Sequence, residues 1–416
     1  MRVKVLVLGA DGFIGRHIAF ALRDAGHEVI ASARRVERLQ AMGFRTLRAD
    51  LTDPASHAPD FWAEVQDCAL VNAAGLLTGS EQAFAAVHDH ALRAVLAAVA
   101  GPCLHVSAVG IEADTPFARW RRVSEQVALA AGAMVLRPGL VMAETSYGGT
   151  SALRGFAALP FVTPVVGTGA QPFNPIHAAD LAVVIAGMLA EPQPGVWEIG
   201  GPEVLTQSEL ATGLRRWLGL RPMPVWQVPE GLARLVGHIG DALRLGPVST
   251  TALRQLEQGV QTDPAPLLAR LTVRPRGFTA FQFVRPAGTQ DLWQARLYLL
   301  KPLIRLTLAI MWLVSAGLGL FLPGSAFLPH LPALPVGLAL TMARAGGLAD
   351  LALGVALLRD WRPVLVARAQ ITLVLAYTAG LSLLAPALWL DPFGGLLKNL
   401  PVLALLLVHL ALVEER

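Results

Sequence analysis

Apolar positions fall along the chain in two regimes. Up to about residue 220, strand-length apolar runs alternate with longer stretches in which apolar residues recur at helical spacing. The runs at 3–8, 28–33, 44–49, 69–72, 103–107 and 133–137 read as strands, and 80–100 and 117–131 as helices between them. Strands alternating with helices predict an α/β fold with a parallel sheet covered on both faces. From 221 to 301 the pattern weakens. Helical stretches such as 232–245 and 248–258 are broken there by Pro222, Pro224, Pro229, Pro247, Pro264 and Pro266. After Lys301 charges become rare, and four apolar stretches follow at 303–322, 336–358, 364–388 and 400–413. A helix needs roughly twenty apolar residues to cross a bilayer. The first three stretches reach that length, and the fourth does so by recruiting Leu396 and Leu397 through Pro401.

Composition sharpens this division. Hydrophobic residues make up 54% of the 416 and charged residues only 15%, so part of the chain is expected in lipid. The net charge of +4 is spread without a basic stripe, which argues against a nucleic-acid partner. Cys68 and Cys103 are too few for a disulfide framework or a zinc site and read as small core residues; no metal site is expected. Met1 runs almost at once into the first strand, without a signal-peptide pattern, so the N-terminal part is expected in the cytoplasm.

One stretch of the first regime carries chemistry: Gly9-Ala10-Asp11-Gly12-Phe13-Ile14-Gly15, directly after the first strand and opening a helical segment that runs to Ala25. That order suits a nucleotide diphosphate. Glycines let the backbone approach the phosphates, and a new helix offers unpaired N–H groups to their charge. The G-x-x-G-x-x-G spacing differs from the G-x-G-x-x-G of many dehydrogenases and draws its meaning from its place between strand and helix. An NAD binder sets an acid about twenty residues past the glycines to hold the ribose hydroxyls. Here the second strand ends in Ala31-Ser32-Ala33-Arg34-Arg35, with no acid until Glu37. A guanidinium fork matches a 2′-phosphate, so the pattern points to NADP(H), with NAD(H) as the alternative and Arg34 as the recognising residue. The plain reading of both arginines is the solvated start of a helix.

Further motifs follow in order: Asp50-Leu51 after the third strand, Asn72-Ala73-Ala74-Gly75 after the fourth and Ser107 after the fifth. Then come Leu136-Arg137-Pro138-Gly139, the stretch from Pro175 through His177 and Asp180 to Leu181, and the stretch from Glu198 to Glu203 leading into Leu205-Thr206. This ordered series resembles the short-chain dehydrogenase/reductase superfamily in its extended or atypical branch. That branch includes epimerase-like enzymes, NmrA-like regulators and the dehydrogenase-like accessory subunit of respiratory complex I. The resemblance implies a doubly wound Rossmann domain over 1–220 and a small substrate lobe with a connector over 221–301. It also implies that Gly9, Asp11, Gly12, Phe13, Ile14 and Gly15 surround the cofactor phosphates, that Asp50 and Leu51 touch the adenine, and that Ala73, Ala74 and Gly75 line the path to the nicotinamide ribose. The plain alternatives are a turn or cap acid for Asp50 and a tight strand end for the alanines.

At the catalytic position the chain departs from that family. Carbonyl reduction there uses a Tyr, a Lys four residues on that lowers its pKa, and a Ser that orients the substrate oxygen; a phenol near pKa 10 needs such a neighbour to work near neutrality. Ser107 stands where the serine belongs. The helix reads Phe117-Ala-Arg-Trp-Arg121 and then Ser124-Glu125, so Phe117 replaces the tyrosine and Arg121 the lysine. Phenylalanine has no proton to give, while arginine can still hold ribose and phosphate oxygens. Tyr147, in a loop after the sixth strand, is a candidate proton donor, with an aromatic loop anchor as the plain reading. His177 and Asp180 read as structural, starting a helix, and His88 and His90 as surface residues.

The apolar region, 302–416, resembles the DoxX-like membrane module, a four-helix unit. Lys301 and Arg305 precede the first span and Arg359, Arg362 and Arg368 border the loop between the second and third, whereas 323–335 has no Lys or Arg. Positive charge marks the inside, which predicts four spans in an inner, cytoplasmic membrane with both ends and the nucleotide domain in the cytoplasm. Arg344 and Asp350, inside the second span, face another helix, a quinone-like head group or a membrane-protein partner, or make a structural contact within the bundle. Two functions lead, ahead of quinone or thiol redox chemistry in the membrane module itself. One is a membrane-anchored NADP(H)-dependent oxidoreductase or isomerase for a small or lipid-soluble substrate; the other is a non-catalytic nucleotide-binding module serving a membrane partner. A reporter fused at Gly324 is expected outside and one at the C-terminus inside; a C-terminal reporter found outside overturns this topology.

Overall fold

In the computed structural model, which describes residues 3–414 except 78, 113, 246–247, 251–252, 254–255, 258 and 332–333, seven parallel strands form one sheet. They are β1 Lys4–Leu8, β2 Glu28–Ala33, β3 Arg45–Arg48, β4 Ala69–Asn72, β5 Cys103–Val106, β6 Met134–Pro138 and β7 Gly195–Ile199, in the order β7-β6-β5-β4-β1-β2-β3. The strands are short and nearly all apolar because both faces of the sheet are covered. Successive residues of β1 feed opposite faces: Val5 and Val7 join one core cluster with Ile18, Leu22 and Leu181, while Leu6 and Leu8 join another with Trp62, Leu92 and Val95. Each fully buried aliphatic chain in these layers contributes about 1.5–3 kcal/mol of burial. Trp62 is buried without penalty, since its indole N–H donates to the Ser56 carbonyl at 3.0 Å.

β1 pairs with β2 on one side and β4 on the other, Leu8 lying opposite both Ser32 and Asn72. The chain order reverses direction at β1, and that switch point opens a crevice beyond the carboxyl ends of β1 and β4. The helix α1, Phe13–Asp24, starts there, and α2, Pro116–Ala130, follows β5. Three short strand pairs lie outside that sheet: Val141–Met142 with Ile176–His177, Pro172–Phe173 with Leu205–Thr206, and Thr163–Val166 with Val225–Val228. A separate apolar cluster gathers Met142, Leu153, Phe173, Leu214, Phe278 and Phe281. The helix α3, Ala178–Ala190, begins at His177, whose Nδ1 accepts the Ala179 N–H.

The helix expected over 80–100 is divided. Glu81–Ala85 passes through a π-helical turn, Ala86–His90, into Ala91–Ala98. The helix expected at 232–245 is α4, Glu230–Ala242, and the one expected at 248–258 falls partly outside the described residues. The chain divides into two compact units, Met1–Leu235 with Thr250–Leu292, and Val236–Ser249 with Trp293–Arg416.

The second unit holds four helices long and apolar enough to cross a membrane: Thr289–Phe321, Val336–Leu358, Pro363–Leu384 and Leu396–Val413. The first starts well before its apolar run, because its opening turns carry Asp291, Arg296 and Lys301 and so lack an apolar signal. The third ends earlier than its apolar run, at Leu384, because Pro386 cannot continue a helix. The first two spans cross closely at glycines: a Cβ on Gly319 would lie 2.9 Å from the Gly347 Cα. Arg344 and Asp350 make contacts inside the bundle. The Arg344 guanidinium donates to the Gly319 and Leu322 carbonyls at the end of the first span, at 2.5 and 2.8 Å. Asp350 accepts from Ser315 Oγ at 2.6 Å and Tyr377 Oη at 3.1 Å. The wholly buried Gln370 accepts the Trp312 indole N–H at 2.8 Å.

Gly9 joins β1 to the crevice with φ +72, and a Cβ there would lie 2.9 Å from the Ala74 backbone. Replacing it by alanine therefore adds both backbone strain and overlap. Gly9→Ala is expected to destabilise the first unit by about 1–3 kcal/mol. Chemical denaturation in detergent, followed by tryptophan fluorescence, would read that loss, and an unchanged midpoint would contradict the packing described here.

Candidate nucleotide site

The glycine loop is built from backbone contacts. The Ala10 N–H donates to the Ser32 carbonyl and the Gly12 N–H to the Gly9 carbonyl, both at 3.0 Å. Gly12 is the N-cap of α1, extended and without a side-chain capping bond, so no side chain covers the first N–H groups of the helix. A Cβ on Gly15 would overlap the Gly9 carbonyl oxygen. The result is a cradle that admits only glycine at 9 and 15, at a helix N-terminus, which suits a pyrophosphate. Asp11 is exposed, and its carbonyl accepts the Arg16 guanidinium at 2.9 Å; Phe13 and Ile14 are half-buried on the core.

At the far end of β2, Arg34 and Arg35 are exposed. Asp50 Oδ1 accepts from the Thr52 N–H at 3.0 Å and the Thr52 hydroxyl at 2.7 Å. Those two bonds hold its carboxyl below the usual carboxylate range, with Arg34 adding to the effect. Asp50 thus shapes its own turn while standing within electrostatic reach of Arg34. Leu51, half-buried, offers its carbonyl to His57 Nε2 at 3.1 Å. Sequence reasoning passed over Arg16, whose guanidinium is lowered first by burial and then by the like charge of Arg38. Arg16, bonded to the Asp11 carbonyl, puts a positive charge at the loop.

Beyond β4 a buried chain of hydrogen bonds runs toward α2. The Ala74 N–H donates to Asn72 Oδ1 at 3.0 Å, and Asn72 Nδ2 donates to His105 Nδ1 at 3.1 Å. His105 Nε2 then donates to Ser124 Oγ at 3.0 Å, and Ser124 Oγ to the Arg121 carbonyl at 2.9 Å. This order requires a neutral His105, and burial pushes its pKa well below the ordinary value. Ala73 is fixed by its N–H to the Leu8 carbonyl at 3.1 Å.

Arg121 reaches back from α2 to the Val106 carbonyl at 2.9 Å, and its guanidinium lies against Gly75, where a Cβ would overlap it. Burial lowers its pKa to about 10, opposed by Glu125. Phe117 stands one turn earlier, its ring centroid 5.4 Å from the guanidinium. Ser107, anchored by its N–H to the Leu136 carbonyl at 2.8 Å, follows β5 directly. Its Oγ and the Arg121 Nε are both buried and have no hydrogen-bond partner among the described residues. The structure therefore brings Gly75, Arg121 and the end of β5 together. Tyr147 is 68% exposed, and only its backbone is bonded in the described contacts, to Thr150.

His88 corrects the sequence reading. It is 1% exposed, and its Nε2 accepts the Leu76 N–H at 3.3 Å, just past Gly75. Burial, then the Arg121 charge, lower its pKa to about 3. It lies in the π-helical turn, a feature that apolar periodicity does not signal. His90 is exposed, as expected. His177 and Asp180 are structural: Glu144 Oε2 lies 3.2 Å from His177 Nε2, and Asp180 pairs with Arg276 at 2.9 Å. Among the described residues no cluster of three His, Cys, Asp or Glu could hold a metal ion.

The two lowered histidines set a pH dependence. A histidine whose folded pKa lies below its unfolded value stabilises the fold above about pH 6.5 and loses that contribution as pH falls toward the folded value. For His88 the window runs from about 6.5 to about 3, at roughly 1.4 kcal/mol per pH unit. His88→Gln keeps an acceptor for the Leu76 N–H, so the variant is expected to lose stability on acidification less steeply, by about one proton. Unfolding midpoints measured between pH 7 and 4 would show this; parallel curves would rule it out.

Comparison with known proteins agrees with this geometry. Residues 5–99 match the model of the NAD dependent epimerase/dehydratase family, and residues 309–407 match that of the DoxX-like family. The chain is 26% identical over 288 residues to divinyl chlorophyllide a 8-vinyl-reductase, chloroplastic, of Zea mays, covering 59% of this chain and 69% of that one. Its fold is similar to DesIV, a dTDP-glucose 4,6-dehydratase from Streptomyces venezuelae solved with NAD and TYD bound (TM-score 0.53, 19% identity, 68% of this chain and 95% of that one). It is also similar to the NAD dependent NDP-hexosamine 5,6-dehydratase TunA, involved in tunicamycin biosynthesis (TM-score 0.51, 17% identity, 71% and 99%). The chain is thus similar to the NAD dependent epimerase/dehydratase family over residues 5–99, on a Rossmann-like fold, and to the DoxX-like family over 309–407.

Proposed function

We propose that this chain is a membrane-anchored, NADP(H)-dependent reductase for a lipid-soluble acceptor. One observation carries the reading: the Ser107 Oγ and the Arg121 Nε are both buried and without partners among the described residues, and the Arg121 guanidinium lies against Gly75 and donates to the carbonyl of Val106, next to Ser107. Buried donors left open in this way fit a ligand's oxygens. Arg34, with no acid at the end of β2, supports a 2′-phosphate and hence NADP(H) over NAD(H). When bound, the nicotinamide supplies a hydride.

The residues define which acceptor suits it. Arg121 holds ribose oxygens, and Ser107 orients the acceptor. Phe117 gives the site an apolar wall and no proton. His88 and His105 are neutral and each is already bonded, so neither serves as the acid. With the Tyr147 ring exposed to solvent as well, the proton comes from water, after the acceptor has taken the hydride and its electron pair. An acceptor whose reduced anion is delocalised tolerates that order, whereas an isolated carbonyl gains most from a positioned acid. A quinone, or a vinyl group conjugated to a large ring, belongs to this class, and the vinyl-reductase relative supports it. Four helices long and apolar enough to cross a bilayer support an acceptor that dissolves in one. We place the nucleotide unit in the cytoplasm, at an inner, cytoplasmic membrane, on the positive-inside pattern.

Phe117 also favours a second reading, a nucleotide-binding module without turnover that serves a membrane-protein partner. Purified protein in detergent is expected to bind NADPH more tightly than NADH and to oxidise it with a short-chain quinone or a vinyl-substituted tetrapyrrole. Arg34→Ala is expected to reduce the NADPH preference about 10- to 100-fold, the loss of a charge-assisted hydrogen bond. An unchanged preference removes Arg34 from the role, and tight binding with no oxidation of any acceptor selects the second reading.

A further inference from the structure

The helix α4, Glu230–Ala242, divides into three faces when its side chains are set out at about 100° per residue. Ala233, Gly237 and Gly240 are buried and form a narrow face of small residues. Glu230, Arg234, His238 and Asp241 fall together on a polar face. Leu232, Leu235, Val236 and Ile239 form the third, and each of them is 43–56% exposed. That spacing of i, i+3, i+4 and i+7 is the pattern of a helix meant to bury an apolar stripe, yet nothing among the described residues covers it.

The end of this helix shows what covers it. Residues Val236–Ser249 belong to the same compact unit as the four apolar helices. Just past α4, the Leu243 and Arg244 carbonyls accept the guanidinium of Arg305, the latter at 3.3 Å. Arg305 also pairs with Asp360 at 3.1 Å, and Arg244 donates to the Arg359 carbonyl at 3.1 Å. Arg305 stands where charges give way to the apolar run of the first span, and Arg359, Asp360 and Arg362 close the second. Such residues mark the edge of the hydrocarbon. The C-terminal end of α4 is thus fixed at that edge.

We propose that α4 is an interfacial helix that lies in the lipid surface, with Leu232, Leu235, Val236 and Ile239 turned into the boundary between head groups and acyl chains. An apolar face opposed by a charged one is the build of such helices, which sit about 5–10 Å deep. The proposal rests on the reading of the four helices as membrane spans, and the experiment separates the two. Cys68 and Cys103 are replaced by alanine in the full chain, and single cysteines are placed at Leu235, Ile239, Arg234 and His238, with Leu232 and Val236 as spare positions on the apolar face. Val314, exposed on the first span, is the control. Each variant is spin-labelled in nanodiscs of phosphatidylcholine and phosphatidylglycerol, after its unfolding midpoint is checked against the parent chain.

The ratio of oxygen to nickel-chelate accessibility is expected to be several-fold higher at 235 and 239 than at 234 and 238, and to be high at 314. Equal, water-like ratios at 235 and 239 with a lipid-like Val314 overturn the interfacial helix alone. So does shielding of 235 and 239 from both reagents; if spectral broadening then disappears on dilution with unlabelled chain, the face is a contact between two copies. A water-like Val314 overturns the membrane reading itself.

Discussion

The buried hydrogen-bonded chain Ala74–Asn72–His105–Ser124–Arg121 is the constraint on which the candidate site depends. It starts at the backbone that follows β4, crosses β5 and ends on the helix that carries Arg121. Each member is satisfied in one direction only, so a single tautomer of His105 fixes the whole run. A satisfied buried network of this kind gives a unique arrangement, and a half-satisfied one costs more than an apolar core. Gly9 closes against the same Ala74 from the other side. The glycine loop and α2 are therefore registered against one short piece of backbone.

Much of the fold was legible because its signals are local. Strand-length apolar runs placed β2 and β4 at their observed bounds, and the glycine turn marked the switch point before any pairing was known. The register Phe117–Arg121 was also legible, since one helical turn brings them together. What the sequence hid is non-local or conformational. His88 looked like a polar residue on a helix surface, but a π-helical turn and the Leu76 N–H hold it inside. Asn72 and His105 each read as an isolated polar residue in a strand; their partners are brought to them only by the sheet. The opening turns of the first span were hidden by charge, and the early end of the third by a proline whose effect reaches back along the chain.

The membrane unit follows a different economy. Its helices gain little from apolar contact with each other where lipid is equally apolar, so close approach and polar contacts set their arrangement. Gly319 and Gly347 supply the approach, and Asp350 with Ser315 and Tyr377, and Gln370 with Trp312, supply the contacts. Both Arg344 and Asp350 are absorbed by this bundle, which gives each a structural role.

Gly75 and Arg121 lie far apart in sequence but share one volume. A guanidinium fills the space that any side chain at 75 would need, so the two positions are sterically coupled. A larger residue at 75 is admitted only with a shorter or absent cation at 121, and a lysine at 121 leaves a gap over the glycine. The substitutions open to one position are thus written at the other, and among related chains the pair should vary together or not at all.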